Sequence, residues 1–290
     1  MSTLKRHGGK HYLARPIRQL QPPHVHFVDA YCGSAAVLFA SDGVGVSEVI
    51  NDLDGPLTLF WTVLSTPSLF ACLKDRCEQT PFSETFYGWA EEVLAAWDRN
   101  ELPKDAHSTI EVAWAFFTVC RQSRQGLMND FATLTKRRTR RGMNEQVSAW
   151  LTAIEGLPAV HERLKRVVVL NKPAVQVIRS EDTEQTWFYL DPPYVPSTRT
   201  VPNAYRHEMT YEQHEELLGM LVGIKGKFSL SGYRCDLYDA YASECGWWRA
   251  DIEIDNKSSS DAVKEIKTES IWMNYQPVPP ADSSICCIKC

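Results

Sequence analysis

Four consecutive residues, Asp191-Pro192-Pro193-Tyr194, carry the sharpest chemical signal in the chain, and they follow directly on the apolar run Trp187-Phe188-Tyr189-Leu190. That run reads as a buried strand. In an open α/β sheet, ligands bind beyond the carboxyl ends of strands, so the tetrapeptide stands where chemistry is expected. Its composition suits an amine attached to an aromatic ring. Such an amine is a poor nucleophile because its lone pair is delocalised into the ring. The Asp191 carboxylate and the Pro192 carbonyl can accept its two N–H bonds, draw the nitrogen towards tetrahedral geometry and aim the lone pair at an electrophile. Pro192 and Pro193 lack N–H groups and have a fixed φ, so the loop is rigid and presents acceptors rather than donors. Tyr194 offers a ring face on which a base can stack. The plain structural alternative is a proline turn with an exposed tyrosine.

The elements that must position this loop are legible on either side of it. His26-Phe27-Val28 is a short strand closing on Asp29, followed by a small-residue helix over 35–40, a second run Glu48-Val49-Ile50 ending at Asn51-Asp52, and an apolar helix from Pro56 to Leu64. Strand, glycine turn, helix, strand and acidic end form the βαβ pattern of a nucleotide-binding sheet. The middle of the chain has helical spacing over 83–98, 109–121 and 144–154, with a polar, basic stretch between the last two that reads as one long functional loop. Beyond it, strands and helices alternate again. Val167–Leu170, Lys227–Ser231, Arg249–Ile254 and Ser270–Tyr275 read as strands, and Thr210-Tyr211-Glu212-Gln213 opens a helix to about Val222 with a capping box.

Composition permits this. The chain has 290 residues, 44% of them hydrophobic and 23% charged, enough for one sizeable domain with an insertion or for two modest domains. The polar, basic N-terminus predicts no secretory signal, and no window approaches the apolar length that spans a bilayer. Nine cysteines, an odd number, predict reduced thiols rather than a disulfide framework. Cys286, Cys287 and Cys290 cluster at the end without a second ligand pair, so no metal site is expected and residues 281–290 read as a disordered tail. The net charge of −5 conceals a strong separation. Arg121, Arg124, Lys136, Arg137, Arg138, Arg140 and Arg141 face one acid, Asp130, between 121 and 141, so the segment carries +7 − 1 = +6 and the rest −11. That is the footprint of a phosphate-binding face on an otherwise acidic protein, a solvated basic loop being the alternative.

Asp-Pro-Pro-Tyr and the order of the surrounding motifs resemble the Dam-like, alpha-group DNA adenine N6-methyltransferases, over most of residues 4–275. In that family a Gly-Gly-Lys opening, a glycine-rich cofactor loop, an acidic residue, a target-recognition region and the catalytic motif follow one another, and all five occur here in that order. The resemblance implies catalytic roles for Asp191, Pro192, Pro193 and Tyr194, with S-adenosylmethionine as cofactor and double-stranded DNA as partner. It implies cofactor contacts from the opening motif (Arg6, His7, Gly8, Gly9 and Lys10, with Lys10 on the methionine carboxylate), from Asp29, Tyr31, Gly33 and Ser34 of the loop, from Asp52 on the ribose hydroxyls, and from Asp191. The chain departs from the pattern in three places. Ala35 stands where a second glycine is usual. Asn171-Lys172-Pro173-Ala174 lacks the acid that holds the cofactor's adenine amine, leaving Asn171 or Asp182 as substitutes. Arg121–Gly126 and Met128–Phe131 replace a Phe-Asn-Gly segment, so no target sequence is implied. After the catalytic motif, a loop over 195–207 brings Arg199, Tyr205, Arg206 and His207 to close over a flipped base or track the backbone, and Ser231-Gly232-Tyr233 is a further candidate lining.

The expectation is therefore an α/β fold, a Rossmann-like methyltransferase sheet with helices on both faces and a mainly helical target-recognition insertion. Residues 1–74 and 166–280 form the catalytic domain and 75–165 the DNA-binding insertion. A monomer working in the cytoplasm of a bacterial or phage-infected cell, with or without a partner restriction enzyme, is the expected setting. Two other readings use the same fold: methylation of the cytosine N4 amine, and a catalytically silent DNA-binding protein. Glutamine or RNA-base methylation would place Asn at the first position of the motif. A nicotinamide-dependent oxidoreductase requires G-x-G-x-x-G, of which only Gly33 is present.

Overall fold

The computed structural model describes residues 4, 9–132, 136–198, 206–255, 266–278 and 285–290. Of the residues singled out above, Arg6, His7, Gly8, Arg199 and Tyr205 lie outside the described residues. In chain order the first elements are α1 (Ala14–Gln19), β1 (His26–Asp29), α2 (Ala36–Phe39), β2 (Ser47–Asn51), α3 (Gly55–Ser65), α4 (Pro67–Glu78), α5 (Glu84–Asp98) and α6 (Ala106–Gln122). There follow β3 (Thr139–Arg140), β4 (Met143–Asn144), α7 (Glu145–Glu155), α8 (Leu157–Leu164), β5 (Val167–Leu170), α9 (Ala174–Glu181) and β6 (Thr186–Leu190). The last are α10 (Tyr211–Val222), β7 (Lys227–Gly232), α11 (Asp236–Cys245), β8 (Trp248–Asp255), β9 (Ile266–Met273) and β10 (Ile285–Lys289). They fall into two compact units, one of residues 1–11, 33–42 and 54–171, the other of residues 12–32, 43–53 and 172–290.

The second unit is built on a sheet, in which its strands run in the order β10-β8-β9-β7-β6-β1-β2. β1 lies parallel to both β2 and β6, and β6 parallel to β7, while β9, β8 and β10 join antiparallel. Parallel strands covered on both faces need continuous apolar runs, which is why every residue of β6 is buried. The polar atoms of its large side chains are satisfied in series. The Trp187 indole donates to Ser229 Oγ (3.0 Å), Ser229 lies 2.9 Å from the Tyr275 hydroxyl, and that hydroxyl donates to the Leu20 carbonyl (2.9 Å). α10 starts with the anticipated capping box, Thr210 accepting from the Gln213 N–H and Gln213 from the Thr210 N–H.

β10 overturns the expectation of a disordered tail. Ile285-Cys286-Cys287-Ile288 pairs antiparallel with β8 over Ile285↔Ile252 to Lys289↔Trp248, and Ile285 is buried. A short apolar stretch beside an available strand satisfies its backbone groups by joining the sheet, and composition alone does not register that partner.

The first unit is mainly helical. α6 is its centre: Val112 to Cys120 are all buried, the mark of a helix covered on every side. Phe60 of α3 stacks on Phe117 (5.3 Å between ring centroids, 8°). The indoles of Trp114 and Trp150 donate to the Thr80 hydroxyl and carbonyl, each at 2.8 Å. Among the described residues no single helix is long and apolar enough to cross a membrane.

Candidate active site

In the second unit, β1 sits between β2 and β6. The chain moves outward from β1 to β2 and later returns on the other side of β1 as β6, which makes the carboxyl ends of β1 and β6 a topological switch point, the usual place for a ligand in such sheets. Asp29 ends β1, Asn51 ends β2, and Asp191 immediately follows β6. The ladder continues past the strands: the Ala30 N–H donates to the Tyr189 carbonyl (3.3 Å) and the Cys32 N–H to the Asn51 carbonyl (2.8 Å).

Asn51 is the residue that motif reading passed over in favour of its neighbour Asp52. Its amide donates to the carbonyls of Ala30 (2.9 Å) and Lys172 (3.0 Å), and its oxygen accepts from the Lys172 N–H (2.9 Å). One buried side chain thus clamps the segments after β1 and before α9, and leaves half-buried Asp52 next in line. Asp182, a suggested substitute for the missing acid, is occupied elsewhere: its carboxylate accepts from the backbone N–H groups of Lys225 and Gly226, the latter at 2.8 Å. It fixes the turn before β7.

Asp29 is 1% exposed. Burial pushes its carboxyl well above the usual carboxylate range, and the negative charges of Asp191 and Asp52 push the same way, against Arg18 and the Tyr31 backbone N–H. The three acids therefore share one neighbourhood within this unit. Burial likewise raises the Tyr31 phenol, with Asp52 and Glu216 adding to it. The Oδ1 atom of Asp29 is buried without a hydrogen-bond partner among the described residues. Such an atom is costly, and a ligand bringing a donor would satisfy it.

A carboxyl whose pKa is raised on folding favours the folded state while it is protonated, and the stabilisation is lost as pH rises through the folded-state value. Asp29→Asn removes the charge and keeps the shape. It is expected to stabilise the ligand-free protein near pH 8, by about 1–3 kcal/mol, with the gain shrinking towards acid pH. Urea unfolding at two pH values measures this; a variant less stable than wild type near pH 8 contradicts it.

Tyr194 is turned inward rather than exposed. It is 8% exposed, its hydroxyl donates to Glu269 Oε1 (2.5 Å), and Tyr233 meets its ring edge-on at 4.7 Å between centroids. Pro192 is buried and Pro193 and Asp191 half-buried, so the loop keeps one side open. Arg206 and His207 are exposed.

The first unit holds the other expected cofactor residues. Lys10 is 8% exposed, Gly9 is exposed, and Gly33 and Ser34 are half-buried. Gly33 has φ +47°, and a Cβ built there would meet nothing within 4 Å. Its carbonyl accepts from the Trp61 indole (3.2 Å). Ala35, which replaces the family's second glycine, adopts the same left-handed region (φ 52°, ψ 32°), so the backbone keeps the glycine conformation and carries its strain.

The basic segment is not one loop. Thr139↔Asn144 and Arg140↔Met143 pair as a hairpin, with positive φ at both turn residues, Arg141 (55°) and Gly142 (74°). That is the type I′ turn that suits the twist of a two-residue hairpin. Arg141 is held there by a bidentate pair with Glu155 (2.9 and 3.0 Å), and Arg138 stands 3.9 Å from Glu145. Arg124, Lys136, Arg137, Arg138, Arg140 and Arg141 are all exposed. Arg121 is placed differently. Its guanidinium donates to the Ala149 carbonyl of α7 (2.9 Å), and burial lowers its pKa. Its position in the last turn of the central helix α6 turns it into the helical core, where it ties α6 to α7.

Comparison with curated proteins gives no match. The model of the D12 class N6 adenine-specific DNA methyltransferases matches residues 7–259, a span that begins in the Gly-Gly-Lys opening and takes in both units, the hairpin and Asp-Pro-Pro-Tyr. A mixed α/β fold with its sheet flanked by helices, the acidic switch point and that match agree, and the chain belongs to the D12 class N6 adenine-specific DNA methyltransferase family.

Proposed function

We propose that this chain transfers a methyl group from S-adenosylmethionine to the N6 amine of an adenine flipped out of double-stranded DNA. The observation that carries the reading is the placing of Asp191-Pro192 at the carboxyl end of β6, beside Asp29 of β1, with a buried, hydrogen-bonded tyrosine two residues on. Asp191 and the Pro192 carbonyl accept the two N–H bonds of the amine and restrain its geometry. Tyr194 provides the face on which the flipped base stacks. When bound, the cofactor supplies a sulfonium-activated methyl group, an electrophile strong enough that no covalent enzyme intermediate is needed. The chain contributes positioning, which is the larger part of the rate gain in such a displacement.

The residues present suit that cofactor. In the second unit, the Asp29 Oδ1, without a partner among the described residues, calls for a donor, and Asp52 offers a carboxylate for two hydroxyls; in the first unit, Gly33 leaves its backbone open to close approach. Lys10 provides the cation for the methionine carboxylate. The exposed cations of the hairpin, with Arg124 and Arg206, contact DNA phosphates. Residues 75–165 serve as the recognition insertion of a monomeric, cytoplasmic enzyme.

Lys10→Ala and Asp52→Ala are each expected to weaken S-adenosylmethionine binding by roughly 1–3 kcal/mol, the worth of one charge-assisted hydrogen bond. Titration calorimetry decides each residue separately, and unchanged affinity removes that residue from the cofactor site. Transfer itself is tested by incubation with unmethylated duplex DNA and methyl-labelled S-adenosylmethionine. Label retained on the DNA supports the proposal, and label absent from it opposes it.

A further inference from the structure

We infer that Glu269 is a positioning residue for methyl transfer, whose buried carboxylate holds the Tyr194 hydroxyl and enriches the ring on which the target adenine stacks. The inference rests on the function proposed above. Glu269 lies in β9, opposite Ile252 of β8, and its neighbour Ser270 pairs with Gly232 at the end of β7. The antiparallel strand thereby delivers a carboxylate 2% exposed to a residue 75 positions earlier, at 2.5 Å. Tyr233, the residue after β7, packs edge-on against the same ring. The hydroxyl is held by Glu269 and the ring is packed by Tyr233, which leaves Tyr194 little freedom to rotate.

Holding alone does not call for a charge. A phenol is satisfied by a carbonyl or a serine, as Tyr189 is by Ser231 at 2.9 Å and Tyr275 by the Leu20 carbonyl. Burying a carboxylate instead carries a large desolvation cost. The chemistry supplies a reason for it. The N6 lone pair forms the new N–C bond while the C–S bond breaks and its electron pair stays on sulfur. Positive charge therefore passes from sulfur to the adenine, until the amine gives a proton to the Asp191 carboxylate that accepts its N–H bond, and from there to water. A phenol donating to a carboxylate has a more electron-rich ring, and a cation over an electron-rich face is stabilised. Glu269 acts on the transition state through Tyr194, without touching the base.

The test is steady-state methylation of unmethylated duplex DNA by wild type, Glu269→Ala, Glu269→Gln, Tyr194→Phe and the Tyr194→Phe/Glu269→Ala double variant. Glu269→Ala is expected to lower kcat about tenfold with the KM for S-adenosylmethionine unchanged. Glu269→Gln, which accepts the same hydrogen bond without the charge, falls between. In the Tyr194→Phe background the Glu269→Ala substitution adds no further loss. An unchanged kcat in Glu269→Ala overturns the inference, and so does a full additional loss in the double variant. Thermal unfolding screens the variants, and should Glu269→Ala not fold, Glu269→Gln in the two backgrounds carries the same comparison. Wild type that leaves DNA unmethylated refutes the underlying function, whereas active wild type insensitive to Glu269 refutes only this role.

Discussion

Asp191→Ala is expected to lower kcat by a factor on the order of 10²–10³ or more, the loss seen when one preorganised group aimed at developing charge is removed. Affinity for S-adenosylmethionine should stay within about twofold of wild type, since the main partner of this carboxylate is the target amine. The structure adds a second expectation. Asp191 is the largest charge acting to raise the Asp29 carboxyl, after burial itself. Removing it relaxes Asp29, whose carboxyl is expected to move back towards the ordinary carboxylate range. An inactive but stable protein that still binds cofactor separates lost chemistry from lost fold. Wild-type turnover by Asp191→Ala removes the catalytic assignment.

The second large effect concerns the hairpin. Lys136, Arg137, Arg138 and Arg140 are exposed around β3, while Arg141 both sits at the turn and pairs with Glu155. Neutralising the first four to glutamine therefore spares the residue that anchors the I′ turn. If each of the four neutralises a phosphate, the dependence of log K on log salt becomes shallower by about 0.9 per substitution, roughly 3 to 4 in all. The weakening should be alike on two unrelated duplexes, because phosphate recognition is blind to sequence, and cofactor affinity should not move. Identical slopes for wild type and variant mean that the hairpin does not touch DNA. A weakening confined to one duplex means that one of these side chains reads a base edge.

The local features of the fold were legible because their causes are local. β1, β2, β6 and β7 follow from apolar runs closed by turn residues, α10 from Thr210 and Gln213 three apart, and the loop after β6 from two prolines. Motif order led to the family for the same reason, since each motif is a short contiguous string. The features that stayed hidden depend on partners distant in sequence. Nothing around Glu269 points to a tyrosine 75 residues away, and only the antiparallel pairing of β9 with β7 brings them together. Arg121 counts as one more cation in a basic string until α6 proves to be buried on all sides. The β10 strand exists because β8 offers it an edge. The hairpin did have a local signal, Arg141-Gly142 at its turn, but flanking strands of two residues each are too short for alternation to show.

The central claim is the identity of the product. Duplex DNA incubated with the wild-type protein and S-adenosylmethionine, digested to nucleosides and analysed by mass spectrometry, should contain N6-methyl-2′-deoxyadenosine as its new methylated nucleoside. N4-methyl-2′-deoxycytidine in its place, or no methylated nucleoside at all, contradicts the account.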